Sequence, residues 1–188
     1  MIKEIVKKNR TYRRFDNSVQ ITRKEILDWI DCARYCASAK NAQPMKYIVV
    51  TERNECAKLY PSLKWAGYLT EWDGPIPEER PTAYILQLLD TSISTNPLCD
   101  DGLQLQAITM AAVEEGFGAC IFKSFNNATL RTQFNLPEHL QIQYVVALGK
   151  PVEEVVIEPI SGEDYKYWRT EDQKHHVPKR PLTEIVLP

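Results

Sequence analysis

The sequence predicts an α+β fold with three layers, a mixed sheet flanked by helices, in a single domain of residues 1–188. Two observations carry this. Four short runs rich in β-branched and aromatic residues read as strands. Amphipathic stretches with capping signals fall between them and read as helices. A chain of this length can bury roughly 70% of its unfolded surface, and 44% hydrophobic with 26% charged residues is ordinary globular composition.

In chain order, Ile2, Ile5 and Val6 mark one face of a short N-terminal helix. Thr22-Arg23-Lys24-Glu25 reads as a capping box opening a second helix with Ile26, Ile30, Ala33 and Ala37 inward, stopping near Ser38. Residues 47–51 read as a strand, and a short helix runs from Asn54 to Pro61. Residues 64–81 hold Trp65, Tyr68, Leu69 and Trp72 before Gly74-Pro75-Ile76-Pro77 and Pro81, a pattern that excludes regular structure. A loop so long and aromatic points to function. Residues 83–89 read as a second strand. Asp100 or Asp101 caps a helix with Leu103, Ala107, Met110 and Ala111 inward, ended by Gly116. Residues 118–122 form a third strand, a short helix holds Leu130 and Phe134, and residues 142–148 form a fourth strand. Residues 183–187 are too apolar for a free end and are expected to dock as a strand, on this chain's sheet or a partner's.

Composition excludes several functions. A net charge of −2 and pI near 6 argue against a nucleic-acid binder. No apolar run approaches the ~18 residues that span a bilayer, and the N-terminus lacks a signal-peptide core; a cytoplasmic protein without membrane partners is expected. Five cysteines without framework spacing fit buried free thiols in a reducing compartment. There is no Walker loop, nucleophile elbow or zinc spacing. Gly116-Phe117-Gly118 follows a helix and precedes a strand, the reverse of a dinucleotide fingerprint. His175 and His176 point opposite ways on an extended chain, and no third ligand is evident, so no metal is expected.

The charge is uneven: residues 1–14 carry six Lys/Arg against one Glu. Asn9-Arg10-Thr11-Tyr12-Arg13-Arg14-Phe15 places three guanidiniums in five residues, and each presents a planar fork that matches phosphate. The other reading is surface ion pairing. Ser38-Ala39-Lys40-Asn41-Ala42-Gln43-Pro44 offers a polar cluster, or merely a helix cap, and Lys179-Arg180 is a distant basic pair. With no nucleophile or acid/base pair evident, these donors suit a cofactor that brings its own chemistry, with a phosphate, a polyol and a heteroaromatic head, as in FMN.

Nearly the whole length resembles the nitroreductase family of FMN-dependent oxidoreductases. The resemblance rests on Arg10-Thr11-Tyr12-Arg13 (an Arg-Ser-x-Arg flavin motif) and on Ala37-Ser38-Ala39-Lys40-Asn41-Ala42-Gln43-Pro44 (Pro-Ser-x-x-Asn-x-Gln-Pro). Asp101 to Gln106 leading into Gly116 to Cys120 is similar to the family's central helix and strand entry, and Leu148-Gly149-Lys150-Pro151 to its Leu-Gly-x-Pro turn. The resemblance implies a homodimer, with the C-terminal strand exchanged between partners and FMN at the interface. Arg10, Thr11 and Arg13 would contact FMN, with Arg13 beside N1 and O2 to stabilise the charge of reduction. Ser38, Asn41 and Gln43 would reach it from the second subunit. Lys123-Ser124 would lie against the flavin, the Ser124 N–H aimed at N5. Arg180, with Lys179, would close on the phosphate. Asn9 stands where many relatives have Arg, which throws the phosphate grip onto Arg10 and Arg180, and Ala37 replaces a common Pro.

No catalytic side chain is then expected. NADH or NADPH would pass hydride to N5 and be replaced by a small acceptor, nitroaromatic or quinone, in a ping-pong sequence. Trp65, Tyr68 and Trp72 are candidates to stack on a flat substrate, or equally to pack at a dimer interface. The alternative function is a flavin-binding carrier or sensor without turnover.

Overall fold

The Thr22 capping box forms in full: Thr22 Oγ1 accepts from Glu25 N–H at 3.2 Å, and Thr22 N–H donates to Glu25 Oε2 at 2.7 Å. It opens α2 (Arg23–Arg34), preceded by α1 (Ile2–Lys8) and a two-residue β1 (Phe15–Asp16). The chain continues through β2 (Met45–Val50), α3 (Arg53–Leu59), β3 (Ala83–Asp90), α4 (Asp100–Glu114), β4 (Gly118–Phe122), α5 (Asn127–Gln133) and β5 (Leu140–Pro151). This is a computed structural model, and it describes residues 1–187.

β5 is the spine of a five-stranded sheet, with β3 along one edge, β4 and β1 along the other, and β2 outside β3. These ladders are antiparallel; parallel pairing enters through the Thr11–Ala119 bridge and a second sheet. Alternation along the strands builds two cores. Tyr84, Leu86, Val145, Ala147, Cys120 and Phe122 face α3 and α5, with Leu59 and Leu130. Ala83, Ile85, Val146, Leu148 and Ala119 face α2 and α4, with Ile26, Trp29, Leu105 and Ile108. Every residue of β3 is buried, as befits a central strand covered on both faces. Burying such a Leu or Ile stabilises by roughly 1.5–3 kcal/mol. The predicted three layers are this sheet and its two helical coats.

Several expectations need correction. α2 ends at Arg34 rather than near Ser38, because the chain must turn into a strained loop. α4 buries Gln104, Leu105, Ile108, Thr109, Ala112 and Val113, whereas Leu103 is 43% exposed. The buried polar pair disguises that face: Tyr47 O–H donates to Gln104 Oε1, and Asn9 Nδ2 to Thr109 Oγ1 at 2.8 Å. Neither Asp100 nor Asp101 caps α4; Cys99 holds that position without a side-chain bond. Among the thiols Cys56 and Cys120 are buried but Cys32 and Cys99 are exposed, and all five are free.

Residues 152–180 form a second, three-stranded sheet that the sequence did not announce. β6 (Val155–Pro159) pairs in parallel with β8 (His175–Lys179), and β7 (Trp168–Arg169) pairs antiparallel to β8. Residues 183–187 are not a strand: a short helix, α6 (Leu182–Ile185), forms there, since Pro181 at its N-cap and the Arg180–Glu184 pair one turn apart favour a helical turn. No helix among the described residues is long and apolar enough to cross a membrane.

Candidate functional site

The N-terminal basic motif is an extended segment laid against β4. Tyr12 N–H donates to Ala119 O at 2.9 Å, and Thr11 bridges Ala119. Gly118 permits this approach: a Cβ there would lie 2.5 Å from Tyr12 Cδ2 and 2.6 Å from Pro151 Cγ. The extended backbone separates the guanidiniums. Arg10 and Thr11, with Asn9, line a cavity of about 180 Å³ completed by Gln106, Thr109, Ala119 and Ile121. Arg14 forms a bidentate pair with Glu79, both bonds 2.6 Å, which holds the Glu79 carboxyl below its usual range. Of the three, Arg14 is thus a structural ion pair tying the 64–81 loop to the motif.

Arg13 points to the second sheet. It is 8% exposed, with its Nη1 3.0 Å from His175 Nε2 and its guanidinium 4.4 Å above the Tyr167 ring. Glu153, its side chain wholly buried, accepts from the Arg13 and Arg14 backbone N–H groups with one oxygen and from Arg169 Nη2 at 3.1 Å with the other. Burial, then the neighbouring Arg13 and Arg169 charges, pushes the His175 pKa down to about 4. Glu153, Tyr167 and Arg169 escaped the sequence reading, and His175 entered it only as a metal candidate. The opposite orientation expected of the His pair holds: His176 turns instead to Glu158 at 2.6 Å.

Ser38, Asn41 and Gln43 lie in a loop with Lys40, Asn41 and Gln43 all at φ between 51° and 54°. Three left-handed non-glycine residues in four positions is backbone strain of the kind that clusters at binding sites. Buried Asp100 holds the loop, accepting from Ser38 Oγ at 2.5 Å and Ala39 N–H at 2.9 Å, while Ser38 Oγ accepts from Gln43 N–H at 2.9 Å. Along α4, Asp100 stands roughly 13 Å from Thr109 at 1.5 Å per residue. Within one chain, then, the Ser38 loop does not line the Arg10 cavity.

Lys123 Nζ donates to Gln143 O at 2.9 Å and lies 4.4 Å over the Tyr144 ring. Ser124 O accepts from Lys64 N–H at 3.1 Å, so the aromatic loop departs from beside Ser124. Trp65 packs among Tyr60, Trp72 and Phe122, the last at 4.7 Å, and is occupied by packing. Tyr68 and Trp72 instead line an open cavity of about 350 Å³ with Arg169, whose guanidinium lies 4.5 Å over Trp72. Tyr68 also packs on Tyr167, ring centroids 4.9 Å apart. A chain of bonds and contacts therefore joins Ser124 through Lys64 and its neighbour Trp65, then Trp72, Arg169 and Glu153, to Arg13. Neither Lys179 nor Arg180 lines the Arg10 cavity: Lys179 ends β8, and Arg180 pairs with exposed Glu184.

The residues suit a phosphate-bearing, oxygen-rich ligand. The Nε atoms of Arg10 and Arg13 are buried without a hydrogen-bond partner, an arrangement that costs free energy until an acceptor arrives. The Arg10 cavity, at about 180 Å³, falls below the roughly 300–1,000 Å³ of whole-ligand sites, so it accommodates part of such a molecule. Among the described residues no group of three or more His, Cys, Asp or Glu is arranged to hold a metal ion.

The family model described as the Nitroreductase family matches residues 6–70 and 94–150. Among solved structures, a nitroreductase family protein from Streptococcus pneumoniae TIGR4 superposes with a TM-score of 0.70 over 100% of both chains at 16% identity. A nitroreductase family protein from Clostridium difficile 630 gives 0.68 over 98% of this chain and 95% of that one at 20% identity. An FMN-dependent nitroreductase from Clostridium difficile R20291 gives 0.67 over 82% and 89% at 18% identity. At such identities the likeness shows the fold. No curated protein sequence matches the chain.

Proposed function

This chain belongs to the nitroreductase family, and from that premise we propose that it works as a homodimeric, FMN-dependent oxidoreductase. Its donor would be NADH or NADPH and its acceptor a small flat molecule of nitroaromatic or quinone type. Bound FMN supplies two-electron transfer between donor and acceptor, each visiting the same place in turn, in a ping-pong sequence. The chain's residues bind and orient. Arg10 and Thr11 hold the phosphate and polyol; Arg180 and Lys179, which lie outside the Arg10 cavity in the single chain, would have to leave their present contacts to close on the phosphate. Arg13 sets a positive charge at the pyrimidine edge, and the Lys123-Ser124 backbone lies against the ring. Ser38, Asn41 and Gln43 of a second copy complete the cradle. Tyr68 and Trp72 line the acceptor pocket, backed by Trp65 from the packed side.

One observation carries this reading: a cavity too small for a whole mononucleotide, bordered by Arg10 with its buried Nε unpartnered. The 38–43 loop, roughly 13 Å away on the same chain, is a second half-site that a twofold dimer can bring to the first. Replacing Arg10 and Arg180 together by Ala is expected to abolish stable FMN retention. A yellow double variant with stoichiometric FMN refutes their assignment. Rapid bleaching of the bound flavin by NADH or NADPH in stopped-flow supports turnover; a flavin that stays oxidised marks a carrier instead.

A further inference from the structure

Building on the flavin reading above, we propose that His175 is a positioning residue for Arg13: a neutral acceptor that fixes the guanidinium for the flavin's pyrimidine edge without cancelling its charge. Among the described residues no carboxylate pairs with the Arg13 guanidinium: Glu153 turns one oxygen to the Arg13 and Arg14 backbone N–H groups and the other to Arg169. Among the described residues the sole hydrogen-bond partner of its side chain is His175 Nε2, 3.0 Å from Nη1. Its flat face rests on Tyr167, and Tyr167 in turn packs on the His175 ring at 5.1 Å. Two orthogonal constraints, an in-plane bond and an out-of-plane stack, leave the fork a single orientation.

His175 is itself rigidly held. It is 1% exposed, sits in β8 between Val155 and Arg169 of the neighbouring strands, and donates its backbone N–H to Glu154 O at 2.9 Å. An arginine donor at Nε2 requires that nitrogen to be the acceptor, which puts the ring proton on Nδ1 and leaves the imidazole uncharged. Burial, and then the two arginines beside it, oppose a second proton, in line with its lowered pKa. The choice of partner has an electrostatic consequence. A Glu in this place would orient Arg13 as well but would neutralise it, and the stabilisation offered to negative charge building at N1 and O2 would largely vanish. A neutral imidazole orients the cation and leaves its field intact.

Three variants separate orientation from charge: His175→Gln keeps a neutral acceptor, His175→Leu removes it, and His175→Glu makes it anionic. FMN dissociation constant, flavin midpoint potential and the stopped-flow rate of flavin reduction by NADH and NADPH are measured on each. His175→Leu is expected to weaken FMN binding and slow reduction by ~10-fold or more, since small misplacements of an orienting group carry penalties of that order. His175→Gln is expected to restore most of both. His175→Glu is expected to retain FMN yet lower its midpoint potential. Equal behaviour of the Gln, Leu and Glu variants overturns the proposal. If the variants fail to fold, nitrogen NMR of His175 in the wild-type protein decides: an unprotonated Nε2 at pH 7 supports it, and a protonated Nε2 overturns it. A wild-type protein that binds no FMN sinks the oxidoreductase reading itself; a yellow wild type with three indistinguishable variants sinks only the role of His175.

Discussion

Replacing Glu153 by Ala tests the junction between the N-terminal motif and the second sheet. The Glu153 side chain is fully buried and that of Arg169 is 9% exposed, so this ion pair is shielded from solvent. Removing the carboxylate strands the Arg169 guanidinium, and breaking a buried pair in this way costs about 3–5 kcal/mol. The Arg13 and Arg14 N–H groups lose their acceptor as well, at about 1–3 kcal/mol for each one left unsatisfied. Water entering the space left by the side chain offsets part of this, so a net loss of about 3–5 kcal/mol is expected. For a chain of this size that corresponds to a fall in Tm of roughly 6–20 °C. Urea unfolding followed by tryptophan fluorescence reads it as a lower midpoint at unchanged slope. Glu153→Gln should recover part of the loss, because its amide oxygen still accepts from the backbone. A Glu153→Ala protein within about 0.5 kcal/mol of the parent refutes the reasoning, since that is the range of an ordinary surface substitution.

Gly118→Ala puts a Cβ into Tyr12 and Pro151 and should cost about 1–3 kcal/mol while displacing the Arg10–Arg13 segment, seen as a lower Tm together with weaker FMN binding. Thr22→Ala removes the hydroxyl half of the α2 capping box and should cost about 1 kcal/mol in urea with FMN affinity unchanged. Because the folded protein holds His175 near a pKa of about 4, below its ordinary 6.5, the neutral ring contributes stability above pH 6.5, and that contribution fades as pH falls toward 4. Unfolding free energies at pH 7.5 and 5 should therefore drop more for the wild type than for His175→Gln, and equal drops would contradict the shift.

Where local signals agree with the fold, the sequence was legible. β3 announces itself through a run that is apolar but for Gln87 and the closing Asp90, and Thr22 through a pattern whose two hydrogen bonds both form. α4 was found but its inner face misjudged, because Gln104 and Thr109 are buried by virtue of partners 57 and 100 residues away, Tyr47 and Asn9. No periodicity within the helix encodes such bonds. The second sheet was invisible for a similar reason: β7 is two residues long, and β6 and β8 take their register from one another across the intervening loop. At the site, residue type marked Arg10, Arg13 and Arg14 as anion-binding candidates, and the structure gives the three guanidiniums three different surroundings. The division arises from the extended backbone along β4 and from Glu79 and His175, both distant in sequence.

The cage around Arg13 joins positions 140 and 162 residues apart in the chain. On a ribosome, Arg13 emerges well before its partners, since Glu153 and His175 follow it by 140 and 162 residues. At 5–20 residues per second the nascent N-terminal arm waits on the order of ten seconds or more for its imidazole. Until then a desolvated cation has no acceptor to settle against, so the arm stays loosely held and the cage is among the last contacts to close.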